Sequence, residues 1–219
     1  MNYIFDFDGT LADSFGAMIA VFNKNIRNNE NPLTAEEIHT LRGMSSRKAI
    51  KHLGVHWWQV PKLLLQGLPD FHALLPTVST FDGLPNTLDK LKQRGDKLYI
   101  VTSNTRGSVD TFMGLQKLES YFEDMDTGAG IFKKAKHIRK LMHKHDMKRR
   151  DTVYVGDETR DIQAARLAGV KVVSVTWGFN AESILRKRRP NFLIHKPVEL
   201  LDIHVKKANP LPPLPKAAE

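Results

Sequence analysis

Two aspartates, Asp6 and Asp8, end a short apolar run near the start of the chain, in the stretch DFDGT at 6–10. Much further on, GDETRD at 156–161 holds Asp157 and Asp161, and TSN at 102–104 closes another apolar run. Grouped acids need a reason, because two carboxylates about 4 Å apart repel by roughly 4 kcal/mol at an effective dielectric of about 20. Such a group takes up a proton or a cation. Mg²⁺ suits one or two carboxylates together with waters and a phosphate oxygen, which makes it the expected cofactor. Asp157 and Asp161, four apart at a helix start, lie on one face about a turn from each other, so both can serve the same ion.

The other polar groups at these points narrow the chemistry. Thr102 offers a hydroxyl at a strand end, Ser103 and Asn104 follow it, and Gly9, Thr10 and Leu11 supply N–H groups that a glycine turn can aim at an anion. Two adjacent lysines, Lys133 and Lys134, are available. The apolar stripe Ala135, Ile138, Leu141, Met142 and His145 turns Lys134 toward the core side and Lys133 away from it. A carboxylate nucleophile, a metal, a hydroxyl, a lysine and backbone donors around one anion make a phosphoryl-transfer site. There an aspartyl-phosphate splits one slow displacement into two. The second acid of the pair projects to the same side of an extended chain, a position suited to moving a proton.

Elements at fixed places must hold these groups. Five short runs read as strands covered on both faces: 3–5, 98–101, 152–155, 172–175 and 192–194. Helical stripes alternate with the later ones, at Leu84, Leu88 and Leu91, at 135–145, and at Ile162, Ala165 and Ala168. The fold class is therefore α/β, a doubly wound parallel sheet. Between about 15 and 80 the alternation stops and only helices are predicted: one from Phe15 to Ile26, one behind a Thr34–Glu37 capping box, one from Ser46 to Leu53, and one carrying Leu64, Leu68, Phe71 and Leu75. Gly67 and Pro69 weaken the last. The expected organisation is an α/β core of residues 1–14 and 80–205, a helical insertion at 15–79 and a proline-rich tail at 206–219.

The motif D-x-D-G-T at 6–10, the strand-end Thr102, a downstream lysine and G-D-x-x-x-D at 156–161 resemble, in order and spacing, the four motifs of the haloacid dehalogenase-like hydrolase superfamily. The likeness runs from residue 1 to about 200 and is greatest to phosphoglycolate-phosphatase-like members, whose smaller cap type the insertion resembles. It implies Asp6 as nucleophile, Asp8 as general acid and base, and Thr102 and Lys134 as holders of the phosphoryl group. It also implies Mg²⁺ on the Asp6 carboxylate, the Asp8 backbone carbonyl and Asp157, with Asp161 in support. Dehalogenases of the superfamily lack the second aspartate, so Asp8 points to phosphate esters. The family's lysine is commonly followed by proline, whereas Ala135 follows here.

Composition sets the remaining bounds. With no cysteine, no signal-peptide pattern and no long apolar run, the chain reads as a cytoplasmic protein without a membrane span, a monomer or homodimer acting on a small phosphorylated metabolite. Its net charge of +9 is concentrated at 133–150, with nine Lys or Arg, and in RKRR at 186–189. That keeps a polynucleotide end phosphatase or nucleic-acid binder as one alternative, and a phosphomutase is another. Substrate choice is assigned to LRGMSSRK at 41–48, where Arg42 is placed to meet an anionic leaving group and Gly43, Ser45 and Arg47 flank it. His56, Trp57 and Trp58 are expected to pack the insertion on the core, and Trp177, Gly178 and Phe179 to border the site.

Overall fold

The structure, a computed structural model, describes residues 1–204 except 28 and 57, and omits the side chains of 131 and 132. The tail expected at 206–219 and Trp57 lie outside the described residues. Six strands form one parallel sheet: β1 (Asn2–Phe5), β2 (Lys97–Val101), β3 (Phe122–Asp126), β4 (Thr152–Gly156), β5 (Lys171–Val175) and β6 (Phe192–Ile194). Their order is β3-β2-β1-β4-β5-β6, so strand order reverses at β1. Phe5 pairs with Ile100 on one side and Val155 on the other. The residues just past these strands therefore converge, which is where open parallel sheets place ligands.

Both faces of the sheet are covered, as the continuous apolar strands require. Tyr3, Phe5 and Phe7 face a cluster with Leu84, Leu88 and Leu91 of α5 (Leu84–Gln93) and Val109, Phe112 and Met113 of α6 (Arg106–Gln116). Ile4, Tyr99 and Val101 face the opposite cluster. It is built from Ile138, Leu141 and Met142 of α7 (Gly130–Lys144), Ile162 and Ala165 of α8 (Thr159–Ala168), and Leu185 of α9 (Glu182–Lys187).

The strand β3 has no counterpart among the runs predicted from sequence. Its residues, FEDMD, offer only Phe122 and Met125 as apolar contributions, because it is an edge strand whose acids meet cations of the flanking helices, Glu123 that of Lys92 on α5. Asp124 pairs with Lys144 and His145, and Asp126 with Lys140 and His137. Arg139 donates to the Leu167 carbonyl. Part of the positive charge at 133–150, that of Lys134, Lys140, Lys144 and Arg150, is thus matched by acids within the fold.

Between β1 and α5 run α1 (Phe15–Arg27), α2 (Ala35–Arg42), α3 (Ser46–His52) and α4 (Val60–Leu74). The Thr34–Glu37 capping box forms with both of its hydrogen bonds. The helix α4 passes through Gly67 and Pro69, and Gly67 has a packing reason: a Cβ there would come within 2.7 Å of Val21 Cγ1 on α1. His56 stacks on Trp58, which is 59% exposed, so Trp58 does not anchor this layer on the sheet as expected. Among the described residues no helix is long and apolar enough to cross a membrane.

Leu88 is fully buried between α5 and the sheet. Leu88→Ala should lower unfolding free energy by about 2–5 kcal/mol through lost transfer energy and a residual cavity. Urea denaturation should show this as a lower midpoint with an unchanged slope.

Candidate active site

The acids meet at the reversal point. Asp6 follows β1, and its backbone N–H is held by the Val155 carbonyl at 2.8 Å. Asp157 follows β4, and Asp161 lies in the first turn of α8. One carboxylate oxygen from each of Asp6, Asp157 and Asp161 lies within 4.8 Å of the others, and all three residues are buried. The helix N-cap is Glu158 rather than Asp157: the Glu158 N–H donates to Asp161 Oδ2 at 2.9 Å, which leaves Asp157 in the loop ahead of the helix.

Lys134, on the first turns of α7, reaches into this cluster. Its Nζ lies 2.6 Å from both Asp6 Oδ2 and Asp161 Oδ1, and 5.7 Å from the centre of the Tyr154 ring. Lys133 is exposed. Burial disfavours the Lys134 ammonium, but the carboxylates of Asp161 and Asp6 outweigh it and hold the pKa above its ordinary value. One ammonium does not balance three buried acids. Burial holds the Asp157 carboxyl well above the usual range, with the charges of Glu158, Asp161 and Asp6 adding to it. Burial likewise pushes Asp6 up to about 7, against the pull of Lys134. This buried, all-oxygen donor set fits a hard divalent cation.

Asp8 is not part of the trio, and its oxygens have other partners. Its Oδ1 accepts from Ser14 Oγ at 2.8 Å and its Oδ2 from Asn104 Nδ2 at 2.9 Å. These bonds fix its orientation, and burial raises its pKa in spite of them. Asn104 belongs to the loop after β2. Its own N–H donates to Thr102 Oγ1 at 3.0 Å, leaving the Thr102 hydroxyl proton free to meet an anion.

The turn at 9–11 corrects one expectation. Gly9 N–H donates to the Ala12 carbonyl, while Thr10 and Leu11 N–H both donate to the Phe7 carbonyl. A tight turn closes on itself, so these N–H groups are not free for phosphate. Gly9 is needed for another reason. At φ +72°, a Cβ there would sit 2.3 Å from Asp157 Oδ2, so only glycine lets the turn approach the acid. The Thr10 hydroxyl donates to Asp157 Oδ1 at 2.9 Å, and the Phe179 N–H to Asp157 Oδ2 at 2.7 Å.

In the 41–48 segment, Arg42 is committed elsewhere than to a leaving group. Its Nε donates to the Phe179 carbonyl at 3.1 Å and its Nη2 to the Gly178 carbonyl at 2.8 Å, and its guanidinium lies over the Phe15 ring. It ties the insertion to the loop that orients Asp157. Gly43 caps α2 with φ −79°, Ser45 precedes α3 without capping it through its side chain, and Arg47 is exposed. The residue that reaches the acidic loop is Ser46, whose hydroxyl hydrogen-bonds Glu158 Oε2.

Sequence reasoning missed Arg160. Its Nε and Nη2 bind Glu158 Oε1 at 2.9 and 2.7 Å, and its Nη1 lies 3.3 Å from Ser103 Oγ. It joins the β4 and β2 loops. Burial opposes the charge of its guanidinium, but Glu158, Asp161 and Asp6 outweigh that and keep it protonated. The only sequence signal was a cation inside an acidic motif.

Asp157→Asn should separate stability from chemistry. Because burial raises the carboxyl's pKa on folding, the metal-free native state binds more protons than the unfolded chain above about pH 4, and stability falls as pH rises. In EDTA, thermal melts of Asp157→Asn should match the wild type near pH 4 and exceed it at pH 8. A variant less stable than the wild type at pH 8 would contradict this.

Known proteins resemble this chain in sequence and in fold. The sequence pattern of the Haloacid dehalogenase-like hydrolase family matches residues 3–175. The chain is 35% identical over 199 residues to the phosphoglycolate phosphatase of Synechococcus elongatus, covering 90% of this chain and 94% of that protein. It is 29% identical over 216 residues to pyrophosphatase PpaX of Bacillus pumilus, covering 91% and 94%. Among solved structures, a haloacid dehalogenase-like hydrolase from Streptococcus pneumoniae superposes with a TM-score of 0.77 at 21% identity. It spans 92% of this chain and 96% of its own, a likeness of fold.

Proposed function

Because this chain belongs to the haloacid dehalogenase-like hydrolase family, as a phosphatase within it, we propose that it hydrolyses a small phosphate monoester of the phosphoglycolate type through an aspartyl-phosphate on Asp6. The observation that carries this is the contact of Lys134 with Asp6 and Asp161 beside Asp157, at the point where strand order reverses. Asp6, Asp157 and Asp161 are the side chains that would hold Mg²⁺, as the family likeness suggests. When bound, the ion supplies positive charge against the acids and the phosphoryl oxygens.

The chain's own residues do the rest. A carboxylate oxygen of Asp6 attacks phosphorus, and the bond from phosphorus to the ester oxygen breaks. Lys134 and the Thr102 hydroxyl hold the phosphoryl oxygens, and Arg160, lodged on Ser103, adds positive charge beside them. Asp8, protonated at the outset, gives its proton to the departing alkoxide. It then takes a proton from a water whose oxygen attacks phosphorus, releasing inorganic phosphate and restoring Asp6. Ser14 and Asn104 aim Asp8 for both transfers. Residues 15–79 act as a cap whose seating through Arg42 and Ser46 excludes bulk water.

Asp6→Asn should abolish phosphate release from p-nitrophenyl phosphate and from 2-phosphoglycolate while its circular dichroism stays that of the wild type. Asp8→Asn should lower kcat by about 10²–10⁴-fold. Excess EDTA should silence the wild type, and Mg²⁺ restore it. A screen of phosphate esters with pyrophosphate and a hexose 1-phosphate included would test the substrate class; turnover of pyrophosphate alone would overturn the monoester reading.

A further inference from the structure

The second basic stretch, 186–189, meets an acid at one residue. Arg186 pairs with Glu182, but Lys187 and Arg188 turn into a groove of about 840 Å³ between α9 and the α2–α3 corner of the helical insertion. From the other wall come Lys48, Lys51 and His52 of α3, with Gly43, Met44 and Ser45 at the corner and Ile184 on α9. No carboxylate lines the groove, and Lys48, Lys51, Lys187 and Arg188 form no side-chain hydrogen bond or ion pair among the described residues. None of Asp6, Asp8, Thr102, Lys134, Asp157 or Asp161 reaches it.

We propose that this groove is a binding site, separate from the acid cluster, for a small polyanion carrying three or more negative charges, a polyphosphate or a polycarboxylate. Helix dipoles give Lys51, His52 and Lys187 each a local reason to sit in a last turn, but not a reason for two helices from different parts of the fold to aim their cations into one concavity. Four unpaired cations across a concave surface repel one another and raise the local concentration of anions. The volume suits a small molecule. No Phe, Tyr or Trp lines it, so the broad stacking platform that single-stranded nucleic acid uses is missing.

Its position gives binding a consequence. One wall, α3, begins at Ser46, which is bonded to Glu158 beside Asp157, and the corner is pinned by Asn180 Nδ2 on the Met44 carbonyl at 2.9 Å. An anion bridging α3 and α9 therefore fastens the insertion to the sheet domain next to the acidic loop.

The test is calorimetric titration of the full chain, without added Mg²⁺ and with the salt varied, using inorganic tripolyphosphate and citrate in separate arms. Saturable binding that weakens as salt rises is expected in one arm or both, and the arm that binds tells phosphate from carboxylate. Lys48→Gln/Lys187→Gln should bind at least about tenfold more weakly, and Lys51→Gln/Arg188→Gln, which changes different side chains on the same two walls, should do the same. All four residues are exposed, so both variants should melt as the wild type does. Unchanged affinity in both variants would overturn the proposal, as would absence of saturable binding by either anion. A single-stranded oligonucleotide binding more tightly than both anions near 0.15 M salt would overturn the small-ligand assignment.

Discussion

Charge burial at the strand ends governs this molecule. Asp6, Asp157 and Asp161 are removed from water and brought within ligand distance of one another, and one ammonium, Lys134, lies among them. A fold would not gather such charges for stability, since a buried carboxylate lacking full compensation costs free energy. The surrounding structure is arranged to enforce that proximity. Parallel β1 and β4 set Asp6 and Asp157 side by side, α8 turns Asp161 toward them, and α7, packed beside α8 on the same face of the sheet, delivers Lys134.

A second layer of contacts holds the acids in position. The oxygens of Asp157 are fixed by Thr10 from one turn and Phe179 from another, and Gly9 has no side chain because one would strike that carboxylate. Asp8 is aimed by Ser14 and Asn104, and Asn104 in turn donates its N–H to Thr102. The helical insertion joins this layer rather than standing apart from it. Arg42 fastens to the carbonyls of residues 178 and 179, and Ser46 to Glu158. Movement of the insertion is thus linked to the loops that orient the acids.

How far the sequence could be read follows from where the signals lie. Asp6, Asp8, Thr102, Asp157 and Asp161 were legible because a polar residue that ends an apolar strand stands where an open parallel sheet meets its ligand. The helical stripe in turn pointed Lys134 inward. The strand β3 was not legible, since its acids are matched to cations near α7 and on α5 that sequence pattern alone cannot bring opposite them. Gly9 and Thr10 were misassigned as anion donors because spacing reveals a turn but not which carbonyls its N–H groups find. Arg42 was expected at the leaving group, yet its carbonyl partners come from a loop more than a hundred residues away. Arg160 had meaning only once α8 set it between Glu158 and Ser103.

The most direct measurement is a crystal structure of the protein grown with Mn²⁺ in place of Mg²⁺, with anomalous diffraction recorded to locate the metal. The account predicts one anomalous peak in contact with carboxylate oxygens of Asp6 and Asp157, with Asp161 beside it. A map in which those side chains lie apart and no peak falls among them would contradict it.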